Sequence, residues 1–166
     1  AGRPLDELAA PFDLVAVALS KGLGAPGGSL LAGSRELIGR AVRHRRMLGG
    51  AMRQTGIYAA AGIHALDHHL RRLVDDHAHA RLIADVLAQC NRVLLDPTTV
   101  QTNIVVFRLV EGAPDAATVV ERARERGVLL MAFAARTVRA VTHLDVTREQ
   151  CERAARVLVE VIGGEA

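Results

Sequence analysis

The run Leu14-Val15-Ala16-Val17-Ala18-Leu19, followed at once by Ser20-Lys21-Gly22-Leu23-Gly24-Ala25-Pro26, constrains this chain more than any other stretch. Six consecutive apolar residues read as a strand buried on both faces, the pattern of a parallel sheet. Four glycines and one proline between Gly22 and Gly28 then impose a tight path that brings the backbone around a ligand or a neighbouring strand. Lys21 stands at the junction. It is the only lysine among 21 Lys and Arg residues, so arginine serves wherever a positive charge alone is wanted. A partly buried lysine can lose its proton and attack a carbonyl, which arginine cannot, and the expected use of this amine is a Schiff base.

A strand of that kind needs neighbours on both sides. Residues 1–12 are short and carry two prolines, and only the Ser29 to Ala32 run follows closely. The chain also begins with Ala rather than Met, and it therefore reads as the C-terminal part of a larger protein.

With 166 residues, half of them apolar, the chain can bury a real core. Only four residues are aromatic, so Leu, Val, Ile and Ala must fill that core. The net charge of +3 comes from arginines spread along the sequence with few aromatic rings for base stacking, which argues against a nucleic-acid partner. No stretch reads as a membrane span or a signal peptide. Cys90 and Cys151 match no metal or redox spacing and are most simply the reduced thiols of a cytoplasmic protein.

Further along, Ser34 is expected to cap a helix whose apolar face carries Leu37, Ile38, Ala41, Val42 and Leu48, ended by Gly49 and Gly50. Its other face holds Arg40, Arg43, His44, Arg45 and Arg46, which serves as a solvated face, a subunit contact or an anion site. The small residues between Gln54 and Leu66 predict a helix approached closely by another helix, and a long helix is expected from about Asp67 to Cys90. Strands are predicted at Val93 to Leu95, Asn103 to Val110, Val128 to Phe133 and Thr137 to Leu144. Helices are predicted from Pro114 to Arg126 and from Thr147 to Ile162. Alternation in the last strand sets Arg139, Val141 and His143 on one face and Val138, Ala140 and Thr142 on the other.

Three blocks carry a family resemblance: Leu19-Ser20-Lys21-Gly22-Leu23-Gly24-Ala25-Pro26 with Gly28-Ser29-Leu30-Leu31, then Met47-Leu48-Gly49-Gly50-Ala51-Met52-Arg53-Gln54, then Val141-Thr142-His143-Leu144-Asp145-Val146. In order and spacing they resemble the low-specificity L-threonine aldolases, which depend on pyridoxal 5'-phosphate. Gly27 stands where that family usually has valine, and Ala51 where it usually has glycine. The resemblance implies an α/β chain of the fold-type-I pyridoxal-phosphate transferase class, incomplete. Residues 1–75 would be the end of the large cofactor domain, and residues 76–166 the small C-terminal α/β domain. It also implies a homotetramer acting on a small amino acid.

Pyridoxal phosphate chemistry needs an amine, an anion site for the phosphate, an acid for the pyridine nitrogen and a cation for the substrate carboxylate. By resemblance Lys21 is the amine, Arg53 contributes to the phosphate site of its own or a neighbouring subunit, and Arg139 takes the carboxylate. The plainer alternatives are a helix-start ion pair for Arg53 and a surface ion pair for Arg139. The family's acid, its stacking histidine, most of its phosphate loop and its histidine candidates for the base precede the lysine. His64 with His68, and His77 with His79 near Asp75 and Asp76, are read as solvated pairs, with no metal expected. His143 is read as structural. The implied reaction is cleavage of L-threonine, L-allo-threonine and related β-hydroxy amino acids to glycine and an aldehyde, as part of a larger enzyme. A non-catalytic remnant or interaction module, and a β-eliminating amino acid lyase, remain open.

Overall fold

The computed structural model describes residues 2–164, and the chain divides into two compact units between Arg71 and Arg72. The first unit opens with a short helix, α1 (Leu5–Ala9), and continues through strands β1 (Leu14–Ala18) and β2 (Ser29–Gly33) to helices α2 (Arg35–Met47) and α3 (Gly56–His68). Strand β1 pairs with β2 in antiparallel register, from Leu14↔Gly33 to Ala18↔Ser29. This corrects the parallel, doubly buried strand expected from the apolar run. A parallel partner needs a crossover of a dozen residues or more, whereas the glycine-rich turn brings the chain straight back. Two strands alone cover little surface, and Leu14, Val17, Leu30 and Leu31 are exposed.

Helix α2 begins as expected, with the Ser34 hydroxyl accepting from the Leu37 N–H at 3.2 Å. His44, Arg45 and Arg46 sit in its last turn, where cations favour the negative end of the helix dipole. Helix α3 is not the deeply packed helix predicted, since only Gly62 and Ala65 are buried along it. Its small residues admit a side chain rather than another helix. A β-carbon on Gly62 would lie 2.9 Å from Cδ1 of Leu19. One turn earlier, a β-carbon on Gly27 would lie 2.6 Å from Cε1 of Tyr58, so this ring occupies the space a larger residue would need.

The first helix of the second unit is α4 (Leu73–Leu87), shorter than the predicted Asp67 to Cys90 helix because residues 69–72 form turns ahead of it. Arg72, just ahead of the helix, reaches forward with Nη2 2.7 Å and Nη1 3.3 Å from the Asp76 carboxylate, which is fully buried. The Thr142 hydroxyl donates to the Asp76 carbonyl at 2.6 Å and fixes the helix start to the sheet. The remaining elements are β3 (Val93–Leu94), β4 (Ile104–Leu109), α5 (Ala116–Glu125), β5 (Met131–Ala134), β6 (Thr137–Val141) and α6 (Arg148–Gly163).

The four strands form one antiparallel sheet in the order β3-β4-β6-β5. Strand β4 alternates strictly, burying Val105, Phe107 and Leu109 while exposing Ile104, Val106 and Arg108. The buried face joins Val138 and Ala140 with Leu87 of α4, Val119 of α5 and Leu158 and Ile162 of α6. Strand β5 starts later than predicted because Val128 belongs to the end of α5. Gly127 adopts φ +77°, its N–H reaches the Arg124 carbonyl, and the Val128 N–H reaches that of Ala123.

Helix α6 opens with a reciprocal cap between Thr147 and Gln150. The Cys151 thiol behind it is pushed up in pKa by burial and by the Asp76 charge, which keeps it a protonated, unreactive packing group. Among the described residues no helix is long and apolar enough to cross a membrane.

Two outcomes follow from this packing. Arg72→Leu strands the buried Asp76 carboxylate and should lower stability by about 3 kcal/mol in denaturant unfolding, whereas Arg72→Leu with Asp76→Leu should recover most of it. Gly27→Val should cost about 1–3 kcal/mol by collision with the Tyr58 ring, and the same change on a Tyr58→Ala background should cost less.

Candidate active site

The turn that carries Lys21 is closed by three backbone bonds. Leu19 donates to the Gly28 carbonyl at 3.0 Å and accepts from the Ala25 N–H at 3.0 Å, while the Gly24 N–H reaches the Lys21 carbonyl at 2.8 Å. Gly24 and Gly28 adopt φ +69° and +100°, conformations that side chains resist. Leu19, Leu23 and Ala25 point inward and are buried, which leaves Ser20 and Lys21 on the outside. The expected partial burial of Lys21 is thus corrected: its side chain is exposed. Beneath the turn the His69 ring, at the end of α3, lies with Nδ1 2.7 Å from the Leu23 carbonyl oxygen. A carbonyl only accepts, so Nδ1 carries the proton.

Arg53 is exposed in the loop between α2 and α3. The next residue, Gln54, has φ +52°, a left-handed conformation that costs a non-glycine residue about 1–2 kcal/mol. Strain of this kind persists where surrounding structure enforces it, as it does in ligand-binding loops.

Arg139 lies in the second unit, on the face of the sheet that the helices leave open. Its register partners are Val106 on β4 and Met131 on β5, so the guanidinium stem runs between two apolar side chains. Four residues further along the same face stands His143. Its Nδ1 lies 3.3 Å from the Asp145 carboxylate and 3.3 Å from the Asp145 backbone nitrogen. Arg139 and His143 share an open depression of about 330 Å³ with Leu129, Leu130, Met131 and Val141. The predicted alternation holds here, since Val138, Ala140 and Thr142 are buried on the opposite face.

None of the ion pairs among the described residues involves Lys21, Arg53 or Arg139. The imidazoles of His64 and His68 stack at 4.3 Å, and His69 meets His64 edge-on at 5.4 Å. Among the described residues no group of three or more His, Cys, Asp or Glu converges as metal ligands.

Sequence reasoning missed His69, whose partner lies 46 residues away and leaves no local signature. It also missed Tyr58, although the small Gly27 in place of a valine was a readable sign that something large lies against that position.

The resemblance read from the three blocks extends over most of the chain. Over 154 residues it is 44% identical to the low specificity L-threonine aldolase of Escherichia coli K12, covering 93% of this chain and 44% of that protein. It is 37% identical over 147 residues to low-specificity L-threonine aldolase 1 of Arabidopsis thaliana, covering 88% of this chain and 41% of that one. The chain therefore spans less than half the length of these relatives. A Listeria monocytogenes structure described as an L-allo-threonine aldolase superposes with a TM-score of 0.79 at 19% identity, over 99% of this chain and 47% of its own. An aspartate aminotransferase of Rhodobacter sphaeroides superposes with a TM-score of 0.66 at 22% identity, over 92% of this chain and 42% of its own. The expected fold-type-I α/β architecture therefore holds over the part of that fold this chain covers. Residues 1–109 match the beta-eliminating lyase family, and the chain belongs to that family.

Proposed function

We propose that this chain is part of a pyridoxal-phosphate-dependent aldolase that cleaves L-threonine, L-allo-threonine and related β-hydroxy amino acids to glycine and an aldehyde. The observation that carries the reading is the sole lysine, held out on a buttressed glycine turn and free of any ion pair among the described residues, within a chain 44% identical to an L-threonine aldolase. The residues present fit the cofactor's demands: an accessible primary amine, an exposed arginine on a strained loop, and a second arginine on an open sheet face. When bound, pyridoxal phosphate supplies an aldehyde for the amine and a ring that accepts the electrons of the breaking Cα–Cβ bond.

In this reading Lys21 Nζ, once deprotonated, presents its lone pair to that aldehyde. Arg53 offers an exposed cation to the phosphate. Arg139 offers two parallel N–H donors to the substrate carboxylate, with Val106 and Met131 as its neighbours on the adjoining strands. The first unit would be the end of the large cofactor domain and the second the small domain. Exposed Leu30, Leu31, Met47, Leu48, Met52 and Ile57 in the first unit support a homo-oligomer, with a homotetramer as the family's form. The unpaired Cys90 and Cys151 support a cytoplasmic setting. A second reading, a β-eliminating amino acid lyase, is favoured by the family match and would release ammonia and a keto acid instead.

Product analysis separates the two readings: glycine with acetaldehyde from L-threonine supports the aldolase, and ammonia with a keto acid overturns it. Lys21→Arg keeps the charge and should abolish activity together with the adduct that borohydride traps and mass mapping locates at Lys21 in the parent, so activity retained in that variant would sink the role of Lys21. Arg139→Lys exchanges a two-pronged donor for a point charge. It should weaken substrate binding by about 2 kcal/mol, roughly thirtyfold in KM, with the fold intact by circular dichroism.

A further inference from the structure

We propose that His69 is a positioning residue for the Lys21 amine, acting through the hydrogen bond from its Nδ1 to the Leu23 carbonyl. The inference rests on the reading of Lys21 as the amine that holds the cofactor. Leu23 stands inside the turn that the Gly24 N–H closes onto the Lys21 carbonyl, between Gly22 and Gly24. Glycine on either side gives this segment little stiffness of its own, so its order must come from contacts made elsewhere.

Helix α3 supplies them at three points. Leu19, at the start of the turn, packs on Gly62, and Gly27, near its end, lies under the Tyr58 ring. Between them the one polar tether from outside the turn among the described residues is His69, at 2.7 Å and partly buried. The His69 ring is itself well founded, because its backbone N–H bonds to the Ala65 carbonyl at 2.8 Å in the last turn of α3. The bond therefore passes the rigidity of a helix to a glycine-flanked segment. A reacting amine held in one orientation reacts faster than one that must be gathered from many.

Three substitutions separate positioning from simple packing. In His69→Asn the side-chain amide nitrogen falls close to the place of Nδ1 and keeps the donor. In His69→Gln the donor moves to the place of Nε2, and in His69→Leu it is lost. Because Lys21 is the only lysine, the purified chain labelled with [15N]lysine gives a single backbone signal that reports on this residue alone.

The Lys21 order parameter is expected to fall from about 0.85 to below about 0.6 in the Leu and Gln variants and to be retained in the Asn variant. With pyridoxal phosphate added as probe, borohydride trapping followed by mass mapping should show the adduct forming at Lys21 roughly tenfold more slowly in Leu and Gln, and within about twofold of the parent in Asn. An unchanged order parameter in the Leu and Gln variants overturns the inference whatever the trapping shows. An unchanged trapping rate with a mobile Lys21 overturns it as well. A parent chain in which the adduct forms elsewhere than Lys21 overturns the reading of that lysine instead, and the order parameters then show separately whether the tether exists. Should the Leu variant fail to fold, the contrast between Asn and Gln decides the same question.

Discussion

Leu19 is engaged three times over: its N–H bonds to Gly28, its carbonyl accepts from Ala25, and its side chain fills the notch left by Gly62. Each engagement needs the others. The two backbone bonds close the turn only if Gly28 adopts its left-handed conformation, and the side chain fits only if α3 offers a residue without a β-carbon. With Leu19 fixed, the next two residues are forced outward, and the sole lysine is presented on the surface of the turn. The accessibility of the amine is thus a consequence of where its apolar neighbours are buried.

The second unit treats its arginine differently. Arg139 stands on a strand whose other face is part of the core, so its direction is set by the pleat and by the burial of Val138 and Ala140 beside it. A one-residue slip of β6 against β4 would bury the guanidinium and expose Val138 and Ala140 of the core, which makes the register costly to change. The Thr142 hydroxyl and the Asn103 side chain then hold the strand end, the first to the Asp76 carbonyl and the second to the Thr142 carbonyl. A rigid strand suits the role proposed for Arg139, meeting a carboxylate in one plane. A glycine turn suits the role proposed for Lys21, an amine that forms and releases a covalent bond.

Much of the second unit was legible because its signals are local. The alternation of β6, the cap at Thr147 and the glycine that ends α5 each act within a few residues. The first unit was read less well. A continuous apolar run fits a strand buried on both faces, but pairing direction depends on what lies beside it, and the glycine turn made the neighbour β2 in antiparallel register. The small residues of α3 were read correctly as a place of close approach, yet what approaches is a leucine side chain from a distant segment.

By itself the sequence determined the identities on which the proposed chemistry rests: one lysine after an apolar strand, glycines where the backbone turns left-handed, and an arginine with outward parity on its strand. These follow from residue type and short-range periodicity, which no tertiary contact can alter. Only the tertiary structure decided the exposure of Lys21, the histidine beneath its turn, the tyrosine over Gly27 and the buried Arg72–Asp76 pair. Exposure and long-range bonds depend on which segments meet once the chain has folded, and segments tens of residues apart carry no mark in their own sequence of the partner they will find.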